Sequence, residues 1–114
     1  MATGINNFTP ETQLSSTETT LVSAGSSEKK FIGSAGLFNT STASVEVTFW
    51  IMNTSTTGTT GSGSNESIVQ SIPPRRDTPV YGLFSKVLES NMKLSGKADT
   101  ADVINVTVCG TTET

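Results

Sequence analysis

In SVEVTFWIM, residues 44–52, apolar side chains fall at every second position. Val45, Val47, Phe49 and Ile51 point one way, while Ser44, Glu46, Thr48, Trp50 and Met52 point the other. Successive side chains of an extended chain leave on opposite sides, so this spacing belongs to a strand with one face in a core. DVINVTVCG, residues 102–110, repeats the pattern, with Ile104, Val106 and Val108 on one face and Asn105, Thr107 and Cys109 on the other. KKFIGSAGLF, residues 29–38, predicts a third strand in which Gly33 and Gly36 point to a bulge or a close backbone neighbour. TTLVSAG, ESIVQSI and TPVYGLF are shorter candidates, and ESIVQSI is stopped by Pro73 and Pro74. Turn chemistry at AGSSEK, NTSTAS, PPRRDT and GKADTAD separates the segments. The sum is about seven short strands, which predicts an all-β chain folded as an antiparallel β-sandwich, jelly-roll-like or immunoglobulin-like.

One segment competes with this reading. GLFSKVLESNMKLSG places Leu83, Phe84, Val87, Leu88 and Met92 at helical spacing. Gly82 and the Ser-Asn breaks leave room for barely three turns, and the flanking chain is uniformly β. Residues 83–92 are therefore expected as strand, turn, strand, with a short helix as the rival.

With 114 residues the chain makes one ordinary domain, since a split near Asn53 would leave two halves too short to bury a core. The expected layout is an extended N-terminal arm over residues 1–20, too poor in apolar residues to fold alone, followed by a single sandwich domain over 21–114. The arm either frays or orders across a neighbouring subunit. The run NTSTTGTTGSGSNES, which has nothing apolar in it, is then neither linker nor stalk. It is expected as the long loop 53–66 that closes an antiparallel hairpin, either tolerated as an insertion or ordered by a contact. Its Asn-x-Ser/Thr matches, with those at Asn39 and Asn105, carry little weight in a chain where about a third of the residues are Ser or Thr.

Charged residues make up 15% of the chain, against about 25% in ordinary domains, so hydroxyls stand where charges would. A formal net charge of -3 and a pI near 4.7 give no electrostatic reason to bind nucleic acid. No run approaches the roughly 20 apolar residues of a membrane span. The opening MATGINNFTPETQ lacks the basic and apolar regions of a signal peptide, so none is expected.

Catalytic chemistry is mostly missing at the level of residue types. There is no histidine, which removes the commonest general base and metal ligand. A single cysteine, Cys109, makes neither a disulfide nor a zinc site, and it reads as a small buried side chain. Neither GSGSNES nor SGKAD matches a phosphate-cradling loop, and the carboxylates are scattered. The expectation is a protein that is not an enzyme, with no cofactor and no metal.

Candidate functional residues are instead those that could meet another molecule. Trp50 and Met52 lie on the face of their strand opposite the apolar one, so either the strand is covered on both sides within one subunit or these residues meet another subunit. Arg75 and Arg76 sit in IPPRRDT, a turn stiffened by two prolines, either solvated beside Asp77 or paired with an acidic neighbour in an assembly.

Beyond these residues the chain resembles a recurrent class of small virion proteins of tailed bacteriophages. The matching residues are Asn39, Thr40 and Ser41 at a strand end, Val45 and Val47 in the next strand, Ile72, Pro73 and Thr78 around a turn, then Val106, Val108, Gly110 and Glu113 in the closing strand. Where that class carries L-x-x-G-D before its penultimate strand, this chain has LESNM at residues 88–92. The resemblance implies a β-sandwich that forms a homotrimer or another homo-oligomer on a virus particle, assembled in the bacterial cytoplasm and contacting the major capsid protein or neighbouring virion proteins. Capsid decoration or cement is the expected role, because nothing in the chain suggests the coiled coil or repeats of a fibre. The alternatives are a neck or tail adaptor, a fibre subunit, or a module that binds host-surface carbohydrate through Trp50 and Tyr81.

Overall fold

The computed structural model describes residues 5–9, 12–53 and 66–113. In chain order the strands are β1 (Ile5–Asn7), β2 (Thr12–Gln13), β3 (Thr19–Ser23), β4 (Lys29–Asn39), β5 (Val45–Asn53), β6 (Glu66–Ile72), β7 (Asp77–Pro79), β8 (Val87–Leu88), β9 (Met92–Ala98) and β10 (Ile104–Glu113), with a 3-10 turn at Tyr81–Leu83. They form two antiparallel sheets. The first has the order β1-β10-β4-β7, with β2 also on β10 and β8 also on β4; the second has the order β3-β9-β5-β6. This is the expected all-β sandwich.

The alternation read in the sequence is what builds its interior. Val45, Val47, Phe49 and Ile51 of β5 are buried, as are Ile104, Val106 and Val108 of β10, and the two sets belong to one apolar cluster with Ile32, Leu37, Ile72 and Leu94. Each large side chain fully buried in this way contributes about 1.5–3 kcal/mol. β5 and β6 pair from Val45↔Ile72 to Ile51↔Glu66, so the predicted hairpin exists; its tip, residues 54–65, lies outside the described residues.

The N-terminal segment corrects the expectation of an arm. β1 and β2 both pair with β10, the Phe8 amide donates to the Val108 carbonyl at 2.8 Å, and the Thr9 hydroxyl accepts from the Val108 amide at 2.8 Å. Leu14 is fully buried. Its amide donates to Ile104 of the first sheet, while the next carbonyl, Ser15, accepts from Ala98 of the second. The segment thus closes one side of the sandwich and satisfies the β10 edge, whose backbone groups would otherwise lack partners. Its apolar residues are spaced with neither strand nor helix period, which is why the pattern was silent.

Residues 83–92 form neither a strand on both sides of one turn nor an α-helix: Leu83 ends the 3-10 turn, residues 84–86 turn, Val87–Leu88 make the two-residue β8, and a second turn leads to Met92 at the start of β9. Leu83 and Leu88 are buried but Val87 is exposed, so the helical spacing does not correspond to one buried face. The Ile32 amide donates to Lys86 O and the Ser85 amide to Ile32 O, both at 2.8 Å, which ties the segment to the β4 edge. Asn91 stands where the resembling class carries glycine and takes φ of 66°, a left-handed conformation that asparagine tolerates better than most residues. TPVYGLF is strand only at its start, because the chain leaves the β4 edge at Val80 and turns.

A bulge interrupts the β4–β10 ladder where Cys109 faces Ser34 and Gly110 faces Ile32, leaving Gly33 as the extra residue. The bulge presses Gly110 onto its neighbour: a Cβ there would overlap the Phe31 carbonyl oxygen, whereas one at Gly33 would meet Cys109 O at an ordinary 3.7 Å. Gly110→Ala is expected to cost about 3 kcal/mol in urea unfolding and Gly33→Ala less than about 1 kcal/mol. Leu14→Ala is expected to cost about 2–5 kcal/mol, the cost of a core truncation rather than of a change in a loose terminus.

Candidate interaction surface

Two bends at one end of the sandwich are joined by a single buried side chain. Asn39 ends β4 and is fully buried. Its Nδ2 donates to the carbonyls of Ala43 at 2.8 Å and Ile72 at 3.0 Å, and its Oδ1 accepts from the Ser41 amide at 2.9 Å and the Ser41 hydroxyl at 2.7 Å. The NTS sequence supplies this local geometry, since asparagine readily caps an amide two residues on. The long-range bond to Ile72 comes from the fold. With both donors and its oxygen engaged in the interior, Asn39 is no acceptor for a glycan.

The same residue holds the turn that carries the arginines. The Arg75 amide donates to Asn39 O at 2.8 Å, the Asn39 amide to Arg76 O at 3.4 Å, and the Arg75 guanidinium to Thr40 O at 3.3 Å. Arg75 has φ of 58° after Pro74, the pattern of a type II turn with proline at its first corner. Both arginines are exposed, and among the described residues neither pairs with a carboxylate. They form a cationic corner on an otherwise acidic chain, with backbone positions fixed by the hub.

Trp50 and Met52 lie on the outer face of the second sheet. Met52 is only 2% exposed within the single chain, so it offers little surface to a partner. Trp50 is half-buried, with the Lys97 ammonium 5.8 Å from its ring centroid. Trp50 faces Ser95 across the β5–β9 ladder, and Ser95, itself fully buried, donates its hydroxyl to the Glu18 carboxylate. β5 is a central strand whose second face is covered from within the chain at Met52 and only partly at Trp50. The structure therefore brings the arginines together at one corner and leaves Trp50 on a separate face.

A hollow of about 610 Å³ lies at the β4–β10 bulge and is lined by Phe31, Ile32, Gly33, Ser34, Ser85, Cys109, Gly110 and Thr111. It offers one thiol and three hydroxyls, with no charged side chain to activate them. Cys109, expected to be buried, is half-buried, because its face of β10 turns outward. Among the described residues no group of three or more histidine, cysteine or carboxylate side chains could hold a metal ion, and no helix is long and apolar enough to cross a membrane.

Sequence reasoning missed two features. Asn39 entered only as part of a turn motif, although its Asn-x-Ser pattern was the available sign of an Asx turn. Val69 is 58% exposed, and no sequence pattern marks an apolar residue as exposed when it sits in a strand of ordinary composition; Tyr81, already a candidate contact in the sequence, is 73% exposed.

No protein-family model, no curated protein and no solved structure matches this chain.

Asn39→Ala would remove the buried bond to the Ile72 carbonyl together with the part-buried bonds that tie Ala43 and Ser41 to the same side chain. The expected loss is about 2–4 kcal/mol in chemical denaturation, with Asn39→Asp at least as damaging because it turns an acceptor oxygen, in place of the Nδ2 donor, toward two carbonyl oxygens.

Proposed function

We propose that the chain is a non-enzymatic structural protein of a bacteriophage particle, a capsid decoration or cement protein that acts as a homo-oligomer against the major capsid protein. The observation that carries this reading is where the separate marks of the resemblance meet. Asn39-Thr40-Ser41 and Ile72-Pro73 lie more than thirty residues apart in the sequence, yet the Asn39 amide holds the Ile72 carbonyl and the turn beyond it. Marks shared only by chance in turn chemistry would have no reason to share one buried hub.

The physical role follows from the surface. A shell protein under internal pressure needs many weak, geometrically fixed contacts rather than a reactive centre. Repetition around a symmetric assembly turns weak contacts into durable ones. The corner bearing Arg75 and Arg76 has the fixed backbone and positive charge suited to an acidic patch on a neighbouring subunit, and Trp50 with Lys97 offers a second, amphipathic contact. The segments at residues 5–9 and 12–15 serve the sandwich itself, so clamping falls to these surfaces rather than to an arm.

A neck or tail subunit would share the fold and differ in number. Particles purified from the source are expected to carry the protein in hundreds of copies on the head, counted by quantitative mass spectrometry and placed by antibody labelling. About a dozen copies would move it to the neck or tail, and its absence from particles would overturn the virion reading.

A further inference from the structure

We infer that β6 is a self-pairing edge through which two copies of this chain join their second sheets across a two-fold axis. The inference stands apart from the virion reading, because the edge would pair in the same way in any setting.

Every other edge of the two sheets is short or guarded. β1 and β2 have three and two residues, β7 ends at Pro79, and β8 has two residues. β3 carries a bulge between Thr20 and Val22, and the Lys30 ammonium sits on its Ser23 carbonyl. β6 has seven residues, pairs with β5 without a register shift, and contains no proline, lysine or arginine. Strands of this kind are what folded proteins ordinarily avoid leaving open.

The backbone groups on that edge can be assigned. The Asp99 amide donates to Glu46 O, so the Glu46 carbonyl faces β9. Alternation then turns Val45, Val47, Phe49 and Ile51 toward β6, where their partners are Ile72, Gln70, Ile68 and Glu66. The N–H and C=O groups of Ser67, Val69 and Ser71 point outward, and among the described residues they have no backbone partner.

These three residues are self-complementary. An antiparallel pairing centred on Val69 sets Val69 against its own copy and Ser67 against Ser71 twice, each pair exchanging two hydrogen bonds. A centre one residue later would bring in Pro73, which has no N–H, and one residue earlier would leave Ser71 without an outward partner in the strand. No charged side chain lies between Ser67 and Ile72, and the two Glu66 residues would stand roughly 20 Å apart at about 3.4 Å per residue, so like charges do not oppose pairing. The apolar surface is in place as well. Val69 is 58% exposed on the outer face, and Tyr81, 73% exposed, adjoins the edge from the other layer, where Gly82 packs against Ile68. A second copy would cover both.

The test is sedimentation equilibrium of the full chain over a concentration series, combined with amide hydrogen exchange. The expected result is a reversible species of twice 11.9 kDa, with the Ser67, Val69 and Ser71 amides protected in it. Val69→Pro removes an outward N–H without touching the β5 ladder, and Val69→Lys places like charges on the axis. Both are expected to weaken association at least tenfold, and an unchanged far-ultraviolet circular dichroism spectrum for Val69→Lys keeps the result readable if the proline variant fails to fold. A wild-type chain that stays monomeric at every concentration would overturn the inference. So would an oligomer indifferent to both variants, or protection of the three amides that appears only when a different protein is added.

Discussion

The sandwich depends on one ladder. β4 and β10, separated by most of the chain, share ten paired positions, and the inner faces of both strands supply much of the core. The remaining strands of the first sheet hang on these two: β1 and β2 on the outer edge of β10, β7 and β8 on that of β4. The ladder tolerates one irregularity, the bulge at Gly33, and only because Gly110 has no side chain to collide with Phe31. The second sheet has a shorter spine, the seven paired positions of β5 and β9. It is centred on β5, which β6 and β9 flank, and it is held to the first sheet by apolar contact across the interior.

Polar groups that enter this interior do so in completed sets. Asn39 uses both amide donors and its oxygen, Thr9 replaces a ladder residue beside Val106 and Val108, and Ser95 is matched by Glu18. Among the described residues no buried side-chain nitrogen or oxygen is left without a partner. In a chain with few charges and many hydroxyls this is the available route to a single structure, because an unpaired buried polar group costs more than the bond it forgoes. The Asn39 hub also fixes the bend that carries Arg75 and Arg76, so one side chain links the stability of a corner to the presentation of its charge.

How the strands are distributed between the sheets also bears on function. β5 and β6 are the one pair of successive strands that are neighbours in a sheet by a direct hairpin, while most other connections cross between layers. Crossing connections cover the flanks of the sandwich with bends and with the segments at residues 5–9 and 12–15. β6 is left as a strand on whose outer backbone edge no later strand of the described chain pairs.

The sequence by itself determined the class of fold, because an apolar side chain at every second position in SVEVTFWIM and DVINVTVCG can be buried only by an extended chain with one face inward. It also determined the turns, where Asn39, Pro73, Pro74 and the glycines act within a few residues of themselves, and the lack of any histidine. Tertiary structure alone decided which strands are neighbours, that residues 85–88 are drawn out along β4 rather than coiled, and that residues 5–9 and 12–14 belong to the sandwich. Such outcomes rest on hydrogen bonds and contacts between residues as much as a hundred positions apart, such as that of Thr9 with Val108, and these leave no period in the local pattern. The same reason hid the buried role of Asn39 and the open edge at Val69: whether a group is satisfied depends on what the rest of the chain places beside it.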